Sequence, residues 1–581
     1  MRSKQKRRIA LLLILGMTFW TTHHAAIAHV DGSHGLAPEL PPEVPGVDRP
    51  FPQDEDKFTF AIIGDKTGGG ERNWPIFDRA MDEVSYIHPD LAIIVGDLIQ
   101  GYTTDTQVID EQWKEFYQHA NLIQVPLFFL PGNHDITNKL MYEYWSANIG
   151  KTYYSFSYKE CHFILLNTEE GWRNDEIGLG SEQMEWVRSD IEAHGDSKHI
   201  FFFMHRPAWH YSGEGFAQWE TIESWLEGLP YTVFAGHFHN LSYEKRKDHR
   251  YFVLSSTGAG MSPWEVLELG AFHHYTLVTV DGQDVHIAVT QPGSIHSYDV
   301  ATREFVDKVR QLLTWESFPI VQGASSGELI ARINNLLAKP VTIEFEYSPP
   351  DESLWDFAPR AATYVVRPGD TAELAFKASY DFENPLPLPS YGHKMSYGDK
   401  QLQQGTTKIE PQSTAIAKWM VVGPFDLGTQ ETPPDTSKLD TAPPAFVQAL
   451  EPEKNWDTTA TYLSGTDTIA WQEEETAENG LLDFDSIYGG DYALAYALCY
   501  IHAPDNRKVL TAFKGDDLSK VFVDGLEVYS SGYSGNLNYF MLPLHQGWNT
   551  VTVKCADYAS GWGYTLKIAD PDEELEITIQ K

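Results

Sequence analysis

The sequence predicts a multidomain protein in which an α/β domain, made of two packed mixed sheets flanked by helices, precedes two all-β domains. The chain has 581 residues, which is too long for a single hydrophobic core. Between Phe58 and Gln291, apolar runs alternate with segments of helical period, as in α/β proteins. Beyond residue 317, short alternating runs are separated by Pro and Gly, which is typical of β-sandwiches.

The first 28 residues predict a secretory signal peptide. Basic residues from Arg2 to Arg8 precede an apolar stretch, Ile9–Trp20, and a small-residue pattern ends at Ala28. We therefore expect a secreted or periplasmic protein, with a retained N-terminal anchor as the alternative. No later segment is apolar enough to span a membrane after signal cleavage. Residues 29–56 are rich in Pro and acidic residues and are predicted to be a linker.

The α/β domain is predicted over residues 57–298. Five apolar runs, FTFAII, LAIIV, PLFFLP, HIFFF and YTVFA, are typical of buried parallel strands. The segments with the spacing of amphipathic helices are Trp74–Ile87, Glu111–Leu122, Lys139–Ile149, Ser181–Ala193 and Ala217–Glu227. Later runs such as HYTLVTV and VHIAVT resemble hairpin strands.

The second half of the chain is predicted to be mostly β. We expect a helical bridge at 299–316, a small β-sandwich at 317–380, a Pro/Gly/Ser-rich linker at 381–410, and a second β-sandwich at 411–581. With its runs WMVVGPF, FKGDDLSKVFVDGLEVY and GWNTVTVKC, the last segment resembles a galactose-binding-like or jelly-roll module. Cys161, Cys499 and Cys555 are too few for a disulfide-built protein. Pairing of Cys499 with Cys555 and two buried free thiols are both compatible with the sequence.

The chain is strongly acidic, with 82 acidic and 43 basic residues and a formal net charge of -39. Such a surface repels nucleic acid and anionic membranes, so a nucleic-acid-binding surface is not expected. An anionic substrate would need local metal charge to bind. We hypothesise that the acidic surface is an adaptation to a salty external medium.

Polar clusters follow all five predicted parallel strands. Because the carboxyl ends of such strands meet in one crevice, we expect these side chains to converge on a metal site. The clusters are Gly64-Asp65-Lys66-Thr67, Gly96-Asp97, Gly132-Asn133-His134-Asp135, Met204-His205-Arg206-Pro207 and Gly236-His237-Phe238-His239.

These donors suit two divalent or trivalent ions, and Mn, Fe, Zn and Co all remain compatible. Asp97 is the expected bridge between them. Asp65 and His239 would complete one ion, and Asn133, His205 and His237 would complete the other.

His134 and Asp135 are predicted to be catalytic. A His whose neighbour Asn133 is a ligand cannot easily reach the same metal, but it can face a substrate held there. Asp135 is expected to orient and charge that imidazole. His134 would then protonate or stabilise a leaving oxygen.

The order of the clusters, above all GNHD at 132–135 and GHFH at 236–239, resembles that of the calcineurin-like metallophosphoesterase family. The resemblance covers roughly residues 58 to 290. It implies a four-layer α/β/β/α domain, the metal roles given above and a catalytic His134. The implied reaction is hydrolysis of a phosphomonoester or phosphodiester, by in-line attack of a hydroxide held between the two ions.

The chain departs from the family pattern at two positions. Thr67 stands where the commonest first motif has His, and Gln100 stands where the purple acid phosphatase branch has Tyr. Tyr102 is an alternative extra ligand for the first ion. Other possible substrate-binding residues are Lys66, Thr67, Arg206 and His210, for which a solvated turn, a structural ion pair and a surface His are the ordinary alternatives.

The competing function is that of a catalytically impaired member of this fold that binds a carbohydrate or surface glycan through its C-terminal module. Aromatic platforms bind sugars in many β modules. The residues predicted for this role are Trp548, Tyr558, Trp562 and Tyr564, with Asp516 and Asp517 for hydroxyl groups or calcium.

Overall fold

The computed structural model describes residues 45–47, 57–67, 73–170, 178–211, 214–261, 266–350, 354–427, 439, 442, 444–489, 492–533, 535–558 and 561–581. The predicted signal peptide and most of the predicted 29–56 linker lie outside the described residues. The chain forms two compact units, one of 1–263 and 267–303 and one of 264–266 and 304–581. In the described part of the chain, no helix has the length and apolar character needed to cross a membrane.

The first unit contains strands β1 (Gly46–Val47), β2 (Lys57–Ile63), β3 (Leu91–Ile94), β4 (Leu127–Phe129), β5 (Tyr154–Tyr158), β6 (Cys161–Leu165), β7 (His199–Met204), β8 (Tyr231–Ala235), β9 (Ser242–Arg246), β10 (His249–Val253), β11 (Tyr275–Asp281), β12 (Asp284–Gln291) and β13 (Ser294–Ser297). Its helices are α1 (Trp74–Ile87), α2 (Thr106–Ala120), α3 (Lys139–Asn148), α4 (Ser181–Ala193) and α5 (Glu214–Trp225). Helix α2 begins at Thr106 rather than at Glu111, because the Asp105 carboxylate accepts a hydrogen bond from the Gln107 N–H and caps the helix.

These strands form two mixed sheets. The first has the order β1-β4-β3-β2-β11-β12-β13, and the second has the order β5-β6-β7-β8-β10-β9. Strands β2, β3 and β4 pair in parallel, as do β6, β7, β8 and β10. The remaining strands pair antiparallel, which matches the expected change from crossover to hairpin connections.

The two sheets pack face to face and carry helices on their outer faces. Alternate residues of β2 show this, because Phe60 and Ile62 join the core between the sheets, whereas Ala61 and Ile63 join the core under α1, α2 and α3. Helices α4 and α5 cover the second sheet through a separate apolar cluster. The predicted four-layer α/β/β/α arrangement is confirmed.

The pairing register brings the predicted strand ends together. Ile63 pairs with Ile94, and Ile94 pairs with Phe129, at the carboxyl ends of β2, β3 and β4. Met204 and Ala235 pair at the corresponding ends of β7 and β8. The polar clusters that follow these strands therefore emerge at neighbouring positions on one edge of the domain.

The second unit is almost entirely β. It contains helix α6 (Arg303–Arg310) and strands β14 (Leu313–Glu316), β15 (Ser326–Asn334), β16 (Val341–Ser348), β17 (Asp356–Ala358), β18 (Ala361–Val366), β19 (Thr371–Ser379), β20 (Ser390–Tyr397), β21 (Lys400–Lys408), β22 (Thr414–Ala415) and β23 (Lys418–Asp426). These are followed by α7 (Pro444–Val447), α8 (Glu451–Lys454), β24 (Thr461–Ser464), β25 (Asp467–Ala470), β26 (Gln472–Glu475), β27 (Leu481–Asp483), α9 (Phe484–Ile487), β28 (Ala493–Ala503), β29 (Arg507–Gly515), β30 (Leu518–Val523), β31 (Leu526–Gly532), β32 (Asn538–Leu544), β33 (Gly547–Asp557), β34 (Gly563–Ile568) and β35 (Glu576–Thr578).

Two predicted connections are corrected by the structure. The predicted helical bridge at 299–316 is a shorter helix, α6, followed by strand β14, which pairs with β15. The predicted linker at 381–410 contains strands β20 and β21, which complete a four-stranded sheet with β16 and β18. These strands lack a clear sequence signal, because β20 alternates buried Tyr and His with Gly and Ser, and β21 is an edge strand of mostly polar residues.

The C-terminal part of this unit has two sheets around one apolar core. One sheet has the order β22-β34-β29-β32 with β27 beside β34, and the other has the order β26-β23-β28-β33-β30-β31 with β35 beside β28. All of these pairs are antiparallel. The cysteines are buried free thiols, so the alternative of a Cys499–Cys555 pair is wrong.

Candidate metal centre

Two sets of metal-type side chains meet at the strand ends of the first unit. The set of Asp65, Asp97 and His239 is the first metal position, and the set of Asp97, His205 and His237 is the second. Within each set, the candidate ligand atoms lie within 4.8 Å of one another. Asp97 belongs to both sets, so the structure places it where a bridging carboxylate would be.

The donors of the second position converge on His205. Its Nε2 lies 2.9 Å from Asn133 Oδ1, 3.2 Å from His237 Nδ1 and 3.3 Å from Asp97 Oδ2. Its Nδ1 lies 2.9 Å from the Val95 carbonyl oxygen, which can only accept a hydrogen bond. Nδ1 therefore carries the proton, and Nε2 is free to bind a metal together with its three neighbours.

The donors of the first position surround Asp65, whose side chain is fully buried. Its Oδ2 accepts a hydrogen bond from the His237 N–H at 2.9 Å and lies 3.2 Å from His239 Nε2. His239 Nδ1 donates to the Gly260 carbonyl at 2.6 Å, which again leaves Nε2 facing the donor set. Asp65 Oδ1 has no hydrogen-bond partner among the described residues. A buried carboxylate oxygen without a donor is costly, and a cation at this position would satisfy it, so these residues fit a metal ion.

The backbone at the site is held in unusual conformations. Asp97, His237 and His239 have φ angles of 56°, 76° and 52°, in the left-handed region that non-glycine residues rarely adopt. Such conformations persist only where surrounding structure enforces them, and they concentrate at functional sites. Two glycines are also required, because a Cβ at Gly132 would lie 2.2 Å from Asp97 Oδ1 and one at Gly236 would lie 2.2 Å from Asp65 Oδ1.

The buried carboxylates of the site need a positive charge close to them. Burial alone would lower the pKa of His205, but the adjacent Asp97 carboxylate raises that pKa to about 10. Burial and the neighbouring His205 and Arg206 lower the pKa of His237 to about 3. In the metal-free protein, a proton on His205 thus balances the buried carboxylates. A metal ion would displace that proton and take over its role.

His134 lies at this site, but Asp135 does not orient it. The His134 Nδ1 is 2.7 Å from the Gln100 carbonyl oxygen and so donates to it. Asp135 instead accepts from the backbone N–H groups of Leu98, Ile99 and Gly132 at 2.7–3.1 Å. The predicted role of Asp135 is wrong, because its buried carboxylate ties together the two loops that carry Asp97 and Asn133. Burial and the charge of Asp97 raise its pKa to about 8.

The predicted substrate-binding cations are engaged elsewhere. Lys66 is buried and places its Nζ 3.8 Å from the centre of the Trp74 ring on helix α1, and burial lowers its pKa to about 8. The Arg206 Nε lies 2.9 Å from a carboxylate oxygen of Glu169, so the structural ion pair is the arrangement observed. The structure therefore does not direct the Lys66 amine to the donor sets.

His210 and Tyr102 also have defined partners. His210 Nε2 lies 2.5 Å from Glu244 Oε1, which also accepts from the Trp209 indole N–H at 2.6 Å. Tyr102 Oη accepts from Asn133 Nδ2 at 2.8 Å, and its ring contacts His134 edge to face. Tyr102 thus lies beside a donor of the second position, so its predicted place as an extra ligand of the first ion is wrong.

Thr67 and Gln100 contact each other. The Thr67 Oγ1 donates to Gln100 Oε1 at 3.2 Å, and the Thr67 side chain is buried. From the sequence, Gln100 stands out only as a departure from a ligand pattern. Its backbone carbonyl nevertheless holds His134, and such a contact leaves no signal in residue type.

The predicted sugar platform is mostly core. Tyr558, Trp562 and Tyr564 are only 1–2% exposed and pack inside the C-terminal sandwich, so their predicted role is wrong. Trp548 is half-buried against His502. Asp516 and Asp517 lie in an acidic group with Asp557.

A separate cleft of about 650 Å³ lies in the second unit. It is lined by aromatic and polar residues: Trp315, Ser317, Leu329, Tyr391, Thr406, Thr407, Lys408, Ile409, Glu410, Gln412, Asn536, Leu537 and Tyr539. Its volume is that of an ordinary small-ligand site.

Comparison with known proteins identifies the first unit. Residues 58–241 match the family model of the calcineurin-like phosphoesterases, so the chain contains a domain of this family, as its motifs predict. A probable glycerophosphodiester phosphodiesterase, GpdQ, of Arcobacter nitrofigilis is 25% identical over 125 residues, which are 20% of this chain and 42% of that relative. The match thus spans less than half of that relative's length.

Similar solved structures include a dimetal phosphatase from Danio rerio, with 14% identity, coverage of 42% of this chain and 98% of that chain, and a TM-score of 0.33. The 5'-nucleotidase of Candida albicans has 12% identity, coverage of 49% and 63%, and a TM-score of 0.29. GAP50, an inner-membrane-complex anchor of Plasmodium, has 14% identity, coverage of 42% and 89%, and a TM-score of 0.33.

Proposed function

We propose that this protein is a metal-dependent phosphoesterase whose active site is the pair of donor sets joined by Asp97. The observation that supports this most directly is that Asp97 belongs to both sets, while Asp65 beside it keeps a buried oxygen with no hydrogen-bond partner in the part of the chain that the structure describes. Two ions bound there would supply positive charge for the phosphoryl oxygens and lower the pKa of a water molecule. The family match at 58–241 supports the same reaction class.

His134 is the proposed general acid of this reaction. Its Nδ1–H donates to the Gln100 carbonyl, so the doubly protonated imidazolium would give its Nε2 proton to the leaving oxygen and return to the neutral form with the proton on Nδ1. The edge of Tyr102 packs on the imidazole and restricts its rotation. Asp135 acts as a positioning residue for the loops rather than as a proton carrier.

The decisive test combines metal analysis with two probe substrates. Metal-free protein is reconstituted with Mn, Fe, Zn or Co in turn, and hydrolysis of p-nitrophenyl phosphate and bis(p-nitrophenyl) phosphate is measured. We expect two ions per chain and turnover of at least one probe. Absence of turnover at full metal loading would favour the alternative of a catalytically impaired binding protein.

Asp97→Asn gives a matched test of the bridge. We expect this variant to lose both ions, because the same carboxylate serves both donor sets. Asp284→Asn, on an exposed residue of β12, is the control and should keep two ions and full turnover. Two ions in Asp97→Asn would contradict the assigned bridge.

The preference for a monoester or a diester is the finer part of the proposal. A diester is the first substrate to test, because the similar Arcobacter protein is described as a probable glycerophosphodiester phosphodiesterase. Glycerophosphodiesters therefore join the probe panel. A higher kcat/KM for p-nitrophenyl phosphate than for every diester would reverse this preference.

We also propose that the protein acts outside the cytoplasm, which rests on the signal-peptide pattern of residues 1–28. Expression of the full chain in a host that secretes proteins, followed by N-terminal sequencing, tests this proposal. A mature chain beginning at His29 in the external or periplasmic fraction is expected. An intact N-terminus in the cytoplasmic fraction would contradict it.

A second proposed activity is carbohydrate binding at the cleft of the second unit. Two partly exposed aromatic residues, Trp315 and Tyr539, and several hydroxyl and amide groups line it, and its one lysine and one glutamate leave it without net charge, which suits a neutral sugar. Affinity electrophoresis against soluble neutral polysaccharides tests this activity. We expect retardation that Tyr539→Ala removes and Trp548→Ala, outside the cleft, retains; the reverse pattern would disprove it.

A further inference from the structure

The first metal position lacks a donor where Thr67 stands. The Thr67 backbone N–H donates to the Asp97 carbonyl at 2.9 Å, which places Thr67 directly beside the bridging residue. Its hydroxyl proton is given to Gln100 Oε1 at 3.2 Å. The two side chains at the positions of departure therefore satisfy each other and add no imidazole or carboxylate to the donor set.

The two positions consequently differ in both number and kind of donors. Among the described residues, the first position has Asp65, the shared Asp97 and His239. The second position has the shared Asp97, His205 and His237, and Asn133 Oδ1 lies within 2.9 Å of His205 Nε2. The second position therefore offers four side chains with two imidazoles, and the first offers three with one imidazole.

Charge alone would favour the first position, since Asp65 is a carboxylate that it does not share. Donor type opposes this for borderline ions, because imidazole is a preferred ligand of Zn and Co, whereas carboxylates suit Mn and Mg. Pre-orientation does not separate the two positions, because each has one imidazole whose other ring nitrogen donates to a backbone carbonyl, His205 to Val95 and His239 to Gly260. For Co or Zn, the second imidazole and the Asn133 amide oxygen outweigh the extra carboxylate.

We propose that borderline ions fill the second position first and tightly, and that the ion at the first position is weaker and exchangeable because Thr67 and Gln100 replace a ligand there. On the proposed function, phosphoester hydrolysis would then follow the free concentration of metal. The site would be active only when external metal is sufficient to fill the first position. This regulation rests on the proposed function, whereas the unequal affinities do not.

Titration of the metal-free full-length protein with Co²⁺ tests the inference, with calorimetry for affinity and visible absorption for coordination. We expect two steps of one ion each, with the second weaker by at least about tenfold. His239→Ala should remove the weak step and keep the tight one, and His237→Ala should weaken the tight one. A single step of two equal ions, or loss of the tight step in His239→Ala, would overturn the inference.

Thr67→His is the direct gain-of-ligand variant, and Thr67→Val is its matched control. We expect the added imidazole to tighten the weak step by about 10- to 100-fold and to change its Co²⁺ absorption, while Thr67→Val leaves the affinity of that step within a few fold. An unchanged weak step in a Thr67→His protein with a native circular dichroism spectrum would also overturn the inference. If Thr67→His does not fold, the His239→Ala titration decides.

Hydrolysis at saturating Co²⁺ separates this inference from the proposed function. Unequal steps without turnover of either p-nitrophenyl probe would leave the unequal affinities standing and remove the enzyme assignment. Turnover with two equal steps would support the enzyme assignment and overturn the unequal affinities. Turnover that rises only as the weak step fills supports both.

Discussion

At the scale of single residues, backbone hydrogen bonds decide which side-chain atoms face the candidate metal positions. Two histidines of the donor sets have Nδ1 committed to a backbone carbonyl, His205 to Val95 and His239 to Gly260. Asp65 Oδ1 is buried with no donor among the described residues. Oriented imidazoles and an unsatisfied carboxylate are the features expected of a cation site, which supports the proposed metal centre.

His134→Ala is predicted to keep two ions and to lower kcat by about 10²- to 10⁴-fold, because it removes a proton donor and no member of either donor set. Steady-state kinetics and metal analysis on the same preparation measure both effects. His286→Ala, on an exposed residue of β12, is the control and should match the parent protein. Full turnover in His134→Ala would remove this residue from the mechanism.

His274 predicts a pH dependence of stability. It is 1% exposed, and burial lowers its pKa from 6.5 to about 3, so the folded protein holds it neutral. Below pH 6.5 the unfolded chain gains a proton that the folded chain does not, so this contribution to stability is lost as pH falls toward 3. Between pH 7.5 and pH 5 the loss is about 2 kcal/mol.

His274→Gln tests this prediction by urea unfolding at both pH values. The free energy of unfolding of the parent should fall by about 2 kcal/mol more than that of the variant, since glutamine does not titrate. Equal losses in the two proteins would mean that His274 is charged in the folded state or hydrated by local opening.

At the scale of elements, the site depends on how the two sheets of the first unit pack. Phe60 on β2 meets Phe163 of β6 and Phe201 of β7 at ring-centroid distances of 5.2 and 4.9 Å in edge-to-face geometry. These contacts join the strand that ends at Asp65 to the sheet that carries His205. The relative position of the two ligands thus rests on aromatic packing well below the site.

Phe60→Ala is predicted to destabilise the first unit by about 3–5 kcal/mol through the cavity it leaves. Where the variant is folded, it should bind metal more weakly, because it loses the ring contacts that fix β2, which precedes Asp65, against the sheet that carries His205. Urea unfolding gives the first quantity and metal analysis the second. A loss in the free energy of unfolding of less than about 1 kcal/mol would show that neighbouring side chains fill the cavity and that this packing contributes little to stability.

Gly132→Ala is predicted to abolish binding at both metal positions, since its Cβ would lie 2.2 Å from Asp97 Oδ1. The displaced carboxylate is the one shared by the two donor sets. Gly561→Ala is the control for adding a methyl group, because a Cβ there meets nothing within 4 Å and, as at Gly132, φ lies outside the left-handed region. Retention of two ions in Gly132→Ala would show that the loop can move without losing the bridge.

At the scale of the whole molecule, each of the two compact units has its own apolar core. Calorimetry is therefore expected to show two unfolding transitions. Metal at about 100 times its Kd should raise the midpoint of one transition by about 5–10 °C and leave the other in place, because both donor sets that share Asp97 lie in the first unit. If removal of the metal with EDTA lowered the midpoints of both transitions, the two units would unfold together.

The net charge of -39 predicts that salt stabilises the protein. Raising NaCl from 0.01 to 1 M shortens the screening length from about 30 to about 3 Å and weakens repulsion among surface carboxylates. Thermal midpoints at pH 7.5 should rise with salt, and the rise should be much smaller at pH 5, near the isoelectric point of about 4.8. Equal rises at both pH values would assign the effect to something other than charge.

Much of the first unit could be predicted from the sequence. Apolar runs of strand length, each ending in a polar cluster, are local features, and parallel pairing then brings their ends to one edge. These features predicted two packed mixed sheets flanked by helices, with Asp65, Asp97 and His239 in one group, and the family resemblance implied the four-layer order. Strands β20 and β21 were not predicted, because β20 is interrupted by Gly and Ser and β21 is an edge strand of mostly polar residues, so neither contrasts with a linker.

By itself, then, the sequence determined the class of fold and the six candidate donor side chains, since these depend on residue type and local spacing, and its resemblance to the family marked the departure at Thr67. Only the tertiary structure decided that Gln100, and not Asp135, holds His134, that Thr67 bonds to Gln100, and that Tyr564 is core rather than platform. The physical reason is that these outcomes depend on backbone carbonyls and on neighbours distant along the chain. Neither is encoded in the type of any single residue.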